Sequence, residues 1–222
     1  MKIEIRNIKK NYGKKQVLKD ITLTIESGKC VSILGTNGCG KSTLLSILSG
    51  VQKADGGQFL CDNTNLFSDS KAKESLISYV PQGTPLIEEL SAKDNLSLWY
   101  KKQDMQKSLN DGVLKMLGID AFLSTPVHKM SGGMKKRLSI ACAISQNQPV
   151  LLLDEPMSAL DLPCKQKIIE YIKKHKANGG IVLLATHDAL ELELCDEYYI
   201  MKNGVLTPFN YDGNIENLVE NL

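Results

Sequence analysis

The sequence lacks an apolar run long enough to cross a lipid bilayer. Its apolar runs, such as residues 150–153 and 181–185, are only a few residues long, whereas a membrane-spanning helix needs about 20. The first six residues, MKIEIR, show no apolar stretch of the kind found in a signal peptide. We therefore expect a chain that does not itself span a membrane and that works in the cytoplasm.

Paired cysteines and basic clusters are also missing. None of the six cysteines belongs to a Cys-X-X-Cys pair, which argues against a zinc site or a disulfide framework and for reduced thiols. The net charge is only +2, and 135–137 is the densest basic stretch, so we expect no nucleic-acid partner. With 222 residues, 42% of them hydrophobic, the chain is long enough for one sizeable core.

What the sequence does contain is a glycine-rich loop, GTNGCGKST, at residues 35–43. It follows a short apolar run typical of a buried strand and precedes an apolar helical period, so successive N–H groups and a helix N-terminus would surround one anion. Lys41 would reach the β- and γ-phosphates of a nucleotide, and the Ser42 hydroxyl would bind Mg²⁺. The alternative is a glycine-rich turn that precedes a lysine by chance. The predicted phosphate site comprises Gly35, Thr36, Asn37, Gly38, Cys39, Gly40, Lys41, Ser42 and Thr43.

A second candidate site lies at Asp154 and Glu155, which follow the apolar residues 150–153. Such a run predicts a buried parallel strand, and the carboxyl ends of parallel strands are where open α/β sheets place their sites. Two adjacent carboxylates are costly to bury without a cation. We therefore predict that Asp154 binds Mg²⁺ and that Glu155 faces the attacking water. The alternative is a turn with solvated acids.

Three further positions are weaker candidates when taken singly. His187 follows the apolar run 181–185 and would project at the same sheet edge. Ser131, ahead of two glycines, predicts a helix N-cap with N–H groups open to an anion, or else an ordinary loop. Tyr12, upstream of the glycine loop, would stack on an adenine, or would pack on its neighbours in a hairpin.

The remaining pattern indicates an α/β protein. Alternating apolar residues predict short strands between 3 and 25, and Asn203-Gly204 predicts a two-residue hairpin. From 85 to 148 the apolar spacing becomes helical, which indicates a separate helical lobe inserted into the sheet domain. We expect a further strand at 76–80 and a short helix at 214–222.

Taken together, these residues resemble the ATP-binding subunits of ATP-binding-cassette (ABC) transporters over essentially the whole chain. Six motifs occur in the family order, which is far more specific than any one of them. They are the phosphate loop 35–43, the glutamine loop at Gln82, the signature 130–134, the acidic strand end Asp154-Glu155, the loop 158–161 that links two sites, and the switch histidine His187. Tyr12 falls where the family keeps its adenine-stacking aromatic.

The resemblance implies a P-loop NTPase of the ABC-ATPase fold: a RecA-like core sheet, an antiparallel β subdomain and an inserted α-helical subdomain. Residues 1–222 would form a single ATPase domain, with 1–84 and 149–222 as the ATP-binding core and 85–148 as the helical subdomain. The chain would bind ATP and Mg²⁺. It would be a cytoplasmic protein that lies peripherally on the inner face of the cell membrane. Its partners would be an integral-membrane permease and a second cassette, identical or not.

The resemblance also implies roles for individual residues. ATP would lie between the phosphate loop of one subunit and the helix start at Ser131, Gly132 and Gly133 of another, with Asp161 in the loop joining the two sites. Glu155 would be the general base. His187 would contact the γ-phosphate. Gln82 would bridge Mg²⁺ to the membrane partner.

The signature departs from the commonest family form because Met130 and Met134 stand where Leu and Gln are usual. Ser-Gly-Gly-Met followed by Lys-Lys-Arg-Leu resembles the branch that serves drug, bacteriocin or sodium exporters, and on this we expect export. The alternative is an ABC-type ATPase that regulates a membrane protein, for example in cell division. A small-molecule kinase is disfavoured by the signature and by His187.

Overall fold

The computed structural model describes the backbone of residues 1–222 and every side chain except that of Ala189. The strands are β1 (Lys2–Tyr12), β2 (Lys15–Glu26), β3 (Cys30–Leu34), β4 (Gly56–Cys61), β5 (Thr64–Asn65), β6 (Ile77–Val80), β7 (Val150–Asp154), β8 (Ile181–Ala185), β9 (Glu197–Lys202) and β10 (Val205–Phe209). The helices are α1 (Lys41–Ser49), α2 (Ser70–Leu76), α3 (Ala92–Ser97), α4 (Lys102–Asp111), α5 (Val113–Met116), α6 (Gly132–Ala143), α7 (Leu162–Ala177), α8 (Ala189–Leu192) and α9 (Ile215–Asn221). Short 3₁₀ turns lie at Ile119–Phe122 and Val127–Lys129.

A six-stranded sheet forms the centre, in the order β10-β9-β3-β8-β7-β6. All neighbours pair in parallel except β10, which returns antiparallel to β9. Asn203 and Gly204 join β9 to β10 with φ of 52° and 75°, the left-handed pair that a two-residue hairpin requires. Strands β3, β7 and β8 are buried along their whole length because both faces of the sheet are covered.

Alternate residues of these strands enter two separate cores. Leu152 and Leu183 pack with α1 and the second sheet, whereas Leu151 and Leu184 pack with α6, α7 and the helical stretch. That second sheet is antiparallel, in the order β2-β1-β4-β5. Its first two strands are longer than the short strands we expected, at 11 and 12 residues. The central sheet therefore lies between the antiparallel sheet on one face and helices on the other.

The stretch 85–148 is helical, as its spacing predicts, and contains α3, α4, α5 and α6. Helix α2, capped by Asp69, was not expected, and the strand predicted from 76 begins one residue later, at Ile77. This helix buries none of its residues, so its sequence needs no apolar stripe and has none. An apolar periodicity therefore could not predict it. Among the helices described here, every one is too short or too polar to cross a bilayer.

Candidate nucleotide-binding site

Four parallel strands place the predicted site residues at one edge of the central sheet. The glycine loop follows β3, Gln82 follows β6, Glu155 follows β7 and His187 follows β8. Neighbouring strands are in register there, with Asp154 opposite Ala185 and Val80 opposite Leu153. Because parallel strands end at the same edge, residues far apart in sequence come together at one site.

The glycine loop turns tightly from β3 into α1. Gly35 and Gly40 have φ of 152° and 120°, and a Cβ on Gly35 would lie 2.6 Å from the Met201 carbonyl oxygen; only glycine fits there. Nζ of the buried Lys41 donates to the carbonyl oxygens of Gly35 and Thr36 at 2.6 and 3.3 Å. A cavity of about 260 Å³ opens over the loop, lined by Asn37, Gly38, Gly40, Lys41, Ser42, Thr43, Gln82 and Glu155.

Asp154 ends β7 with only 1% of its surface exposed. Burial raises the pKa of its carboxyl group, although the Ser42 hydroxyl and the ammonium groups of Lys136 and Lys41 lower it. Among the described residues, none donates a hydrogen bond to its Oδ2. A buried carboxylate oxygen without a donor is costly, and a cation would satisfy it. These observations fit the Mg²⁺ site predicted from Ser42 and Asp154.

Glu155 lies between Gln82 and His187. Its Oε2 accepts a hydrogen bond from Nε2 of Gln82 at 3.2 Å, and its Oε1 lies 3.4 Å from Nδ1 of His187. The backbone of Glu155 is left-handed, with φ of 48°, and its N–H donates to the Ala185 carbonyl oxygen at 2.9 Å. The structure thus brings together three residues that follow β6, β7 and β8. Glu155 and His187 were predicted from their own sequence positions, and Gln82 was implied by the family resemblance.

Tyr12 ends β1 and is 47% exposed. Its hydroxyl group hydrogen-bonds Gln52, and Nζ of Lys10 lies 5.6 Å from the ring centroid. An exposed ring is compatible with stacking on an adenine. Of these two neighbours only Lys10 belongs to the hairpin, whereas Gln52 follows α1.

The signature residues lie apart from the cavity of the glycine loop. Ser131 caps α6 by accepting the N–H of Met134 at 3.3 Å, as the sequence predicts, and Ser131 and Gly132 are exposed. The described lining of the cavity includes neither these residues nor Tyr12 nor Asp161. Asp161 caps α7 by accepting the N–H of Cys164 at 2.9 Å. Within one copy, the helix start of the signature therefore faces outward.

Lys136 belongs to the site, which the sequence analysis missed because it considered residues 135–137 only as the densest basic stretch. It is 2% exposed, and its Nζ donates to the carbonyl oxygens of Pro81 and Gln82 at 3.0 and 3.2 Å. Burial lowers the pKa of its ammonium group, while the charges of Asp154, Glu191 and Glu155 raise it. The sequence did contain one indication that Lys136 is buried. It lies four residues before Ile140 and eight before Ile144, on the apolar face of the helix.

Glu191 was also missed. This carboxylate in α8 is 1% exposed, and its Oε1 accepts the N–H of Met157 at 3.0 Å. This hydrogen bond connects the loop after Glu155 to the segment after His187. Burial raises its pKa to about 7, although the Thr186 hydroxyl and the Met157 N–H lower it. The sequence around it carries no periodic signal that distinguishes it from the exposed Glu193.

Comparison with known proteins identifies the family. The family model described as "ABC transporter" matches residues 18–158. The sulfate/thiosulfate import ATP-binding protein CysA of Neisseria meningitidis is 32% identical over 214 residues, which are 92% of this chain and 60% of that protein. The Nod factor export ATP-binding protein I of Sinorhizobium fredii is 32% identical over 207 residues, 91% of this chain and 60% of that protein. The chain thus spans about 60% of the length of these relatives.

A solved structure agrees with the sequence relatives. The dimeric post-hydrolysis state of the ATP-binding cassette MJ0796, bound to ADP and phosphate, superposes with a TM-score of 0.83 at 28% identity, covering 94% of this chain and 98% of that one. The chain belongs to the ABC transporter family and has the fold of its ATP-binding cassette, the ATPase unit of such transporters. The predicted family and fold class are confirmed.

Proposed function

We propose that this chain binds and hydrolyses ATP at an interface between two cassettes and thereby powers a membrane transporter. The observation that carries the proposal is the position of Glu155. Its carboxylate lies between Gln82 and His187 and beside the cavity of the glycine loop, where a base for water attack on a γ-phosphate is needed. The carboxylate oxygens of Glu155 lie 3.2 Å from Gln82 and 3.4 Å from His187. Catalytic hydrogen bonds are often this long without substrate and shorten when it binds.

The residues of this site divide the tasks of the proposed reaction among them. Backbone N–H groups of the loop and the Lys41 ammonium hold the β- and γ-phosphates. Glu155 orients the attacking water and accepts its proton. His187 contacts the γ-phosphate and, through its contact with Oε1, fixes the orientation of Glu155. Catalysis then rests on positioning and on charge stabilisation rather than on a covalent intermediate.

The residues present suit Mg²⁺ rather than a metal held by protein alone. Among the described side chains, no group of three or more His, Cys, Asp or Glu residues is arranged to hold a metal ion. Mg²⁺ is usually bound by one or two protein oxygens together with substrate phosphates. Asp154, Ser42 and Gln82 would hold it, and the ion would neutralise charge on the phosphates.

A second copy, or a related cassette, completes the site in this proposal. Among the described residues that line the cavity of the glycine loop, none belongs to the signature, and the helix start at Ser131 is exposed. A head-to-tail dimer would place the helix start at Ser131 of each copy over the glycine loop of the other copy. Tyr12 would stack on the adenine. The dimeric state of the similar cassette MJ0796 supports the pairing of two cassettes. ATP would favour the closed dimer and hydrolysis would release it, a shift between two populations.

The membrane partner would be a separate permease, which the chain contacts from the cytoplasmic side. For direction we propose export, on the Ser-Gly-Gly-Met signature and the basic run that follows it. The relatives include both an import and an export protein, so their names do not favour either direction. A chromosomal Glu155→Gln variant in the native host tests this: export predicts greater sensitivity to some toxic compound in a panel of drugs and bacteriocins. Loss of nutrient uptake with unchanged sensitivity would instead indicate import.

The purified Glu155→Gln protein tests the proposed reaction. The amide keeps the hydrogen bond with Gln82 but cannot accept a proton, so we expect turnover to fall by about 10²–10³-fold while ATP binding persists. Size-exclusion chromatography with ATP and Mg²⁺ should show a dimer. The matched control is Glu170→Gln, an exposed glutamate of α7, which should behave as wild type. Undiminished hydrolysis by Glu155→Gln would refute the assigned base.

A further inference from the structure

Two cysteines that are 165 positions apart in the sequence meet beside the central sheet. Sγ of Cys30 lies 3.2 Å from Sγ of Cys195, and both are free thiols. Cys30 begins β3, the strand that leads into the glycine loop, and Cys195 lies between α8 and β9. A disulfide bond needs its two sulfurs at about 2.05 Å, so closure requires a movement of little more than 1 Å.

The backbone around this pair is already fixed. The N–H of Cys30 donates to Oδ2 of Asp196 at 2.7 Å, and the N–H of Asp196 donates to the Cys30 carbonyl oxygen at 2.8 Å. Nζ of Lys176 reaches both Asp196 Oδ2 and the Leu194 carbonyl oxygen, at 2.8 and 2.7 Å. The segment that carries Cys195 is thus held against the start of β3 from two sides, and the thiols are kept face to face.

The two thiols differ in access. Cys30 is fully buried, whereas Cys195 is half-buried, so a small reagent from solution meets Cys195 first. The contact with Cys195 and burial raise the pKa of the Cys30 thiol, although the nearby Lys176 ammonium lowers it. Because Cys30 is buried with its Sγ against that of Cys195, we assign it the second step, in which it attacks the neighbouring sulfur after that sulfur has been oxidised.

We propose that Cys30 and Cys195 form a modification site, in which a hydroperoxide oxidises the pair to an intramolecular disulfide that thiol reductants reopen. This inference does not depend on the proposed function. It also modifies the expectation from the sequence that all the thiols stay reduced, because a separation of 165 positions hides the pair from any spacing rule.

The chemistry balances with hydrogen peroxide as the oxidant. The Cys195 thiolate attacks one peroxide oxygen, the O–O bond breaks, and Cys195 becomes a sulfenic acid while the leaving hydroxide takes up a proton to form water. The Cys30 thiolate then attacks the sulfenic sulfur, the S–S bond forms, and the departing hydroxide leaves as a second water. The two sulfurs lose two electrons in all, and the peroxide gains them.

The test treats the purified full-length chain with hydrogen peroxide, blocks the remaining thiols by alkylation, and digests it without reductant. We expect two fewer free thiols per chain and one cross-linked peptide pair that joins Cys30 to Cys195. Dithiothreitol should restore both thiols. Because the bridge closes a long loop of the unfolded chain, the oxidised protein should also unfold about 5–10 °C higher than the reduced one.

Two variants sharpen the test. Cys195→Ser should lose the cross-link and the rise in Tm, whereas Cys164→Ser, which removes a buried thiol elsewhere, should retain both. The wild-type peptide map stands even if a variant fails to fold. Oxidation of Cys195 to a sulfinic acid with Cys30 still free would overturn the proposal. So would a bridge through Cys39 or between two chains.

Discussion

The ammonium group of Lys136 donates a hydrogen bond to the carbonyl oxygen of Gln82 across 3.2 Å. A lysine of the signature helix therefore holds the segment that carries the predicted metal-bridging glutamine. Burying that charge is costly, and the three neighbouring carboxylates Asp154, Glu155 and Glu191, which raise the lysine pKa, offset the cost. We infer that Lys136 is a positioning residue that joins the helical stretch to the acidic strand end.

Replacing Lys136 tests that role. Lys136→Met should lower kcat by roughly 10–10²-fold with little change in the KM for ATP, because misplaced catalytic groups slow the reaction more than they weaken binding. Lys136→Arg, which keeps the charge and the donors, should recover much of the rate. Steady-state ATPase kinetics measure both.

The matched control is the next residue, Lys135, which forms an ion pair with Glu88 at the surface. Lys135→Met should cost at most about 1 kcal/mol of stability and leave kcat unchanged. Equal losses in Lys135→Met and Lys136→Met, or a Lys136→Met enzyme affected only in KM, would contradict the positioning role.

Asp154→Asn separates stability from function. The substitution removes a buried carboxylate whose Oδ2 lacks a donor among the described residues, so in Mg²⁺-free buffer the free energy of unfolding should rise by about 1–2 kcal/mol. ATP turnover should fall by at least about 10²-fold because a metal ligand is lost. Denaturant titration and an ATPase assay check the two effects. The exposed Asp120→Asn, which loses only an ion pair with Lys115, should leave turnover unchanged. A destabilised Asp154→Asn would show that the neighbouring ammonium groups of Lys136 and Lys41 outweigh the cost of burying this carboxylate.

Glu191 should make stability depend on pH. Its folded-state pKa of about 7 lies above the ordinary value of 4.5, so the fold favours the protonated acid. Relative to Glu191→Gln, the stabilisation is fully present below pH 4.5 and is lost as the pH rises through 7. The free energy of unfolding of wild type minus that of Glu191→Gln should fall by on the order of 3 kcal/mol between pH 4.5 and 8.

Denaturant unfolding of both proteins at several pH values measures this difference. The charged groups around Glu191 act in both directions, since Asp188 raises its pKa and Lys165 lowers it. Glu193→Gln, at an exposed position of the same segment, should show no such trend. A difference that stays constant, or that grows with pH, would show that Glu191 is not held as an acid.

Much of the site was predictable because its motifs are local. The glycine loop encodes its own turn, since Gly35 and Gly40 adopt backbone angles that other residues avoid. The acids 154–155 follow an apolar run that had to be a buried strand. Family resemblance then connected these pieces. What the sequence pattern alone did not provide is which strands are neighbours, and this decides that Gln82 reaches Glu155 across 73 positions.

The buried charged residues were harder to predict from the sequence. Lysines and glutamates are usually exposed, so composition argues against placing Lys136 or Glu191 in a core. Their burial is tolerated because Lys136 donates to the carbonyl oxygens of Pro81 and Gln82 and Glu191 accepts the N–H of Met157. These contacts form only once the chain has folded. Helix α2 was missed for the opposite reason: it buries no residue and so has no apolar pattern.

The central claim is that the signature of one copy completes the ATP site of another. Lys41→Ala disables the glycine loop. Gly132→Asp disables the signature, and nothing lies within 4 Å of a Cβ added at Gly132, so this variant should fold. Each variant alone should be inactive, but a mixed dimer would keep one intact site, formed by the loop of one copy and the signature of the other.

The most direct measurement is therefore the ATPase activity of an equimolar mixture of purified Lys41→Ala and Gly132→Asp proteins. Random pairing places half of the dimers in the mixed form with one of two sites intact, so the mixture should recover about a quarter of wild-type activity. A mixture as inactive as its components would instead show that each copy hydrolyses ATP with its own signature, which contradicts a site shared between two copies.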